Sequence, residues 1–110
     1  MTLKELLNQT GWKLATPNLD TSKEISGAYC GDLLSWVMGN GDSNQVWITV
    51  QGHLNVIAVA LLREFSAVII ADNAAIPEEM IEKANEENLV LIESGLPSYE
   101  TAKKLVELGV

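Results

Sequence analysis

The stretch Val46 to Asp72, VWITVQGHLNVIAVALLREFSAVIIAD, constrains the fold of this chain more than any other part of it. An apolar strand runs into a polar turn, an apolar helical segment follows, and a second apolar strand closes the unit. Two parallel strands need a connection of about a dozen residues, usually a helix, and the interval between Val50 and Ala67 supplies one. The segment therefore predicts a βαβ crossover, the core of an α/β domain. Its polar turn falls at the carboxyl edge of the predicted sheet, where such folds gather ligand-binding groups. Thr49, Gln51, Gly52, His53 and Asn55 are accordingly the first candidate binding residues.

The flanking segments extend the same pattern. Thr2 followed by Glu5 is a capping box, Leu3, Leu6 and Leu7 give a helical stripe, and Gly11 ends the helix. Trp12 to Ala15 reads as a brief strand, and Thr16 to Ser26 as a polar loop, the most mobile internal segment expected. Gly27 to Gly31 is a tight, glycine-flanked stretch, after which Asp32 stands as the N-cap of a helix over Leu33 to Met38. Leu33, Leu34, Val37 and Met38 are expected to face inward. The cluster Gly39 to Asn44 is a turn before strand Val46 to Val50. Past the crossover, strand Ala67 to Ala71 is followed by a helix opened by Ile76, Pro77, Glu78 and Glu79, with Met80, Ile81 and Ala84 as its buried stripe. A strand over Leu89 to Ile92 and a last helix from Pro97 and Ser98, carrying Ala102, Leu105, Val106 and Leu108, complete a β-α-β-α-β-α series. This order predicts one compact domain over residues 1–110, with a mostly parallel sheet and helices on both faces.

Fifteen acidic against seven basic residues give a net charge of −8. That charge repels phosphate backbones and anionic membrane surfaces, which argues against nucleic acid and membrane partners. Nine of the carboxylates lie from Asp72 onward, mostly at the polar positions of two predicted helices, as a solvated face does. The longest apolar run, Val56 to Leu62, falls far short of the roughly 20 residues that span a bilayer, and the amino terminus has no secretory pattern. Cys30 is the one cysteine, so no internal disulfide or multi-cysteine metal site is available, and a reducing cytoplasm fits. Carboxylates stand at no recognisable ligand spacing, so neither a metal nor a cofactor is expected.

The one imidazole, His53, lies just past a strand end and before a helix, where unpaired backbone N–H groups favour an anion. A general base or anion contact is one reading; capping the helix with Asn55 is the plainer one. Asp32 offers a ribose or cation contact against simple N-capping, and capping explains it without a ligand. Tyr29 offers a stacking ring beside Gly31, Trp36 a dimer anchor, and both also fit an ordinary core. Trp47 is out of phase with Val46, Ile48 and Val50 and points to the opposite sheet face, where helices or a partner cover it. Cys30 is a nucleophile only with an adjacent base, and a small buried thiol is the simpler reading. The chain holds no Walker loop, no G-x-S-x-G elbow and no G-x-G-x-x-G fingerprint, so no catalytic residue is assigned.

GAYCGDLLSWVM (residues 27–38) and WITVQGHLNVIAV (residues 47–59) resemble the small stand-alone DRTGG-domain proteins, and with the later elements the likeness covers nearly the whole chain. Those proteins are similar in fold to the amino-terminal domain of HPr kinase/phosphorylase, not to its catalytic domain. The resemblance implies a compact α/β domain that dimerises and sits beside CBS modules or metabolic catalytic domains in larger proteins. It further implies a regulatory, ligand-sensing role, with adenine nucleotides a reasonable ligand class. The Asp-Arg-Thr-Gly-Gly string that names the family is absent: after Ala71 the chain reads Asp72, Asn73, Ala74, Ala75, Ile76.

Three functions follow as expectations. The first is a non-enzymatic regulatory module, a homodimer, whose cleft is built from Gly27–Asp32 and Thr49–Asn55 and takes a small anionic or nucleotide-like metabolite. The second is a protein-binding scaffold working through Trp36 and Trp47. The third is a small enzyme using His53 with Cys30 or a nearby carboxylate.

Overall fold

The computed structural model, which describes residues 1–110, contains the expected crossover. Strand β3 (Gln45–Thr49) leads through helix α3 (Leu54–Arg63) into strand β4 (Ala67–Ile70), and the two strands pair in parallel from Val46 opposite Ala67 to Thr49 opposite Ile70. Successive residues point to opposite faces. Val46, Ile48, Ala67 and Ile69 enter one core, while Trp47, Val68 and Ile70 enter the other. Both faces being covered, the strands read as continuous apolar runs rather than as alternation.

Around this unit lie α1 (Leu3–Thr10), β1 (Lys13–Leu14), β2 (Gly27–Cys30), α2 (Leu34–Asn40), α4 (Glu78–Glu86), β5 (Val90–Glu93) and α5 (Ser98–Glu107). The sheet order is β1-β5-β4-β3-β2, with β1 antiparallel to β5 and all other neighbours parallel. Helices α2, α3 and α4 contribute Val37, Val56, Ile57, Met80 and Ala84 to one core. Helices α1 and α5 contribute Leu3, Leu6 and Leu105 to the core on the other face. Three crossovers of one hand, each stepping the same way along the sheet, put α2 to α4 on a common side. The chain leaves β5 for the opposite side, so the connections after β4 and β5 part company.

Local signals explain most boundaries. Thr2 and Glu5 form the capping box, and Gly11 closes α1 at φ 70°. The tight, glycine-flanked stretch Gly27 to Gly31, to which no strand was assigned, holds edge strand β2, paired with β3 from Gly27 opposite Gln45 to Cys30 opposite Ile48. Its residues alternate between half-buried and exposed, so no apolar run marked it. Helix α2 starts at Leu34, and Leu33 stands outside it, 65% exposed, rather than in the core. Val106 is likewise 71% exposed, and α5 docks through Thr101 and Leu105.

The loop 16–26, expected to be mobile, is pinned at several points. Thr16 is wholly buried and its Oγ1 accepts the Leu91 N–H at 3.1 Å. The Ser66 hydroxyl donates to the Glu24 carbonyl at 2.7 Å, and Ile25 N–H to Met1 at 2.8 Å. Ser22 donates from its hydroxyl and its N–H to Asp20, which holds that carboxyl below its usual titration range. No helix is long and apolar enough to cross a membrane.

Candidate functional site

The carboxyl edge of the parallel strands carries two distinct places, one beyond β2 and β3 and one beyond β4 and β5. At the first, Asp32 does not cap a helix. Because α2 begins two residues later, its carboxylate turns to the donors left open at the end of β3. One oxygen, Oδ1, accepts the Thr49 hydroxyl at 2.7 Å and the Val50 N–H at 2.9 Å. Gln51 Nε2 donates to the Asp32 carbonyl at 3.1 Å, and the Gln51 N–H to Thr49 Oγ1 at 3.3 Å. Asp32, Thr49 and Gln51 thus form a closed network that ties two strand ends together.

The neighbouring groups also have structural work. His53 caps α3, its Nδ1 accepting the Asn55 N–H at 3.0 Å, which leaves its proton on Nε2 when the ring is neutral. Gly52 lies beneath the chain that leads into α4: a Cβ there would stand 2.6 Å from the Ala75 carbonyl oxygen and 3.1 Å from Pro77 Cδ. Only a residue without a side chain fits that approach. Tyr29 is half-buried against the α2–α4 core, and its ring edge would be 3.3 Å from a Cβ on Gly31. Asn55 turns instead to a shallow apolar groove between α2 and α3, of about 330 Å³, with Leu34, Met38, Ala58 and Val59.

Trp47 is corrected from interface to core. It is fully buried, its indole N–H donates to the Gly31 carbonyl at 2.8 Å, and its ring sits 5.7 Å from that of Phe65 at a 53° tilt. Helices rather than a partner cover the face to which it points. Trp36, by contrast, is 64% exposed on α2. The Cys30 thiol is exposed and makes no hydrogen bond to His53. Partial desolvation, then the Asp32 carboxylate, push its titration up, the reverse of an activated nucleophile. No three His, Cys, Asp or Glu side chains are grouped to hold a metal ion.

The second place is an open groove of about 780 Å³ beyond β4 and β5, with Trp12, Lys13, Asn73, Glu93, Gly95 and Lys104 on its walls. Lys13 pairs with Glu93 at 3.3 Å; Lys104, half-buried, has no carboxylate within 4 Å. Sequence reasoning missed this groove, because its walls come from the end of α1 with β1, the turns after β4 and β5, and α5. The available signal was positional: Asp72 and Asn73 directly follow the predicted strand ending at Ala71, and Ser94 and Gly95 lie just beyond the one predicted to end at Ile92.

No family profile and no curated protein sequence matches the chain. Among solved structures it is similar to the CBS and DRTGG domains of the regulatory region of Clostridium perfringens pyrophosphatase, complexed with the activator diadenosine tetraphosphate. The TM-score is 0.69 at 14% identity, over 96% of this chain. The chain spans 45% of the length of that neighbour, and the likeness is one of fold.

Proposed function

We propose that this chain is a non-catalytic, ligand-sensing regulatory domain of the DRTGG type, acting as a homodimer in the cytoplasm and responding to a small anionic or nucleotide-like metabolite. The observation that carries the reading is the adjacency of a polar carboxyl edge and an uncharged helical face. Helices α2 and α3 together carry one ionisable side chain, Arg63, in a chain of net charge −8. Leu33, Trp36, Leu54 and Leu62 are exposed on or beside them. Two copies repel each other elsewhere and meet there without burying charge.

The same two helices start from the mouth between β2 and β3. Asp32, Thr49, Gln51 and Gly52 hold that mouth in shape, and the exposed His53 and Asn55 with the unpaired N–H groups of Gly52, His53 and Leu54 remain as donors toward an anion. A ligand that prefers one arrangement of the edge shifts the pairing of α2 and α3 faces by its differential affinity. The structural neighbour, a regulatory region that binds a nucleotide activator, supports the ligand class. The exposed Cys30 thiol, with its raised titration and no hydrogen bond to His53, argues against the enzymatic reading.

Thermal shift and calorimetry across nucleotides and anionic metabolites, with sedimentation of the same samples, test the reading. A ligand that raises the melting temperature and changes the monomer–dimer balance supports it, and a panel without binding ends it. The exposed Trp36 keeps the scaffold reading as second: loss of assembly in Trp36→Ala with no effect of His53 or Asn55 substitutions would favour it.

A further inference from the structure

The groove beyond β4 and β5 meets the geometric condition for a ligand site in an open α/β sheet more closely than the mouth does. Ligands settle outside the carboxyl ends of strands where successive connections leave to opposite faces. Here the chain after β4 goes to α4 on one face, and the chain after β5 goes to α5 on the other. The Asp72 N–H still donates to the Leu96 carbonyl at 2.7 Å, and beyond that bond the two connections diverge. The resulting space, about 780 Å³, falls within the roughly 300–1,000 Å³ of small-molecule sites.

Its chemistry is unlike the rest of the surface. Two of the seven basic side chains, Lys13 and Lys104, line this one groove in an otherwise acidic chain. Glu93 neutralises Lys13, and Lys104 is left as net positive charge. The Asn73 carboxamide and the N–H groups of Asn73 and Gly95 form no hydrogen bond within the protein. Both residues are left-handed, at φ 53° and 70°, and Gly95 has no Cβ to keep a ligand from its backbone. Trp12, half-buried against the α1–α5 core, adds an aromatic ring to the lining. A cation with free amides suits a phosphate, and a ring with a free carboxamide suits a planar base.

We propose that this groove binds a nucleoside phosphate, with Lys104 and the Gly95 and Asn73 amides on the phosphate and Trp12 stacked on the base. The proposal deepens the ligand-sensing reading, rests on it, and moves the ligand from the mouth to the groove.

The test is a ¹⁵N NMR titration of the full chain with ADP, with inorganic pyrophosphate and with adenosine, repeated on Lys104→Gln and Asn73→Gly. ADP should move the Trp12 indole N–H and the Gly95 and Asn73 amides together, and either fragment should bind more weakly than ADP. Lys104→Gln should weaken ADP by about tenfold, the size of one lost charge-assisted hydrogen bond, with the rest of the spectrum unchanged. Asn73→Gly keeps the left-handed backbone and should weaken adenosine as well as ADP. ADP shifts confined to Gly52–Asn55 would overturn the groove and leave the sensing reading standing. If none of the three probes binds, the groove falls, and the wider metabolite panel decides the sensing reading separately.

Discussion

The mouth beyond β2 and β3 and the groove beyond β4 and β5 lie on one sheet edge and are built from similar polar residues, yet the charged side chain of the first is spent inside the protein and that of the second is free. The difference follows from where the chain goes next. After β2 and β3 it turns to the same face, so the two connections run side by side and Asp32 reaches Thr49 and Val50. After β4 and β5 it turns to opposite faces, and Asn73, Gly95 and Lys104 are left without partners inside the protein. Polar residues at a strand end therefore have no fixed meaning. Where neighbouring loops run together, a side chain such as Asp32 can be taken up by the next strand end, and where they separate, side chains such as Asn73 and Lys104 stay free.

By that contrast, substitutions at the mouth should cost stability and those at the groove should cost binding. The largest effect is expected at Trp47, whose ring fills the core beneath the mouth. Trp47→Ala should lose about 3–5 kcal/mol in urea unfolding, and a loss under about 1 kcal/mol would mean the core there is loosely packed. Gly52→Ala should cost about 1–3 kcal/mol through the clash with Ala75. An unchanged midpoint would show that the chain before α4 yields freely.

Asp32→Ala strips two donors, the buried Thr49 hydroxyl and the Val50 N–H, of their acceptor. A loss of about 1–3 kcal/mol is expected by chemical denaturation. Lys104→Gln is its counterpart in the groove and should stay within about 0.5 kcal/mol of the parent. Equal losses from the two would erase the contrast. The smallest effect concerns Cys30. Because desolvation and Asp32 raise its pKa, less thiolate is present at neutral pH, and iodoacetamide should react more slowly than with a free cysteine. The rate should climb as pH rises past the ordinary thiol range, and Asp32→Ala should bring that climb to lower pH.

The central strands were legible because β3 and β4 are covered on both sides, which forces apolar residues at every position. Edge strand β2 is covered only in part, so its four residues carry no such run to mark them as a strand. The phase of Trp47 was correctly read as opposite to that of Val46 and Ile48, but phase does not say what lies on that side. Asp32 is the sharper lesson. A carboxylate before a helix suggests capping by its nearest donors, whereas the actual donors stand 17 and 18 positions away. Capping did hold for His53, whose partner is two residues along.

Unaided, the amino-acid order specified the β-α-β series, the parallel core, the first capping box and the carboxyl edge as the place to look. These depend on periodicity and on contacts a few residues apart, which a linear pattern records directly. The tertiary structure alone decided that Asp32 is spent on the end of β3, that Trp47 is covered by helices, and that residues near positions 12, 73, 95 and 104 share a groove. Those outcomes depend on which face each connection takes and which distant donors then meet, and no local pattern encodes a distance through space.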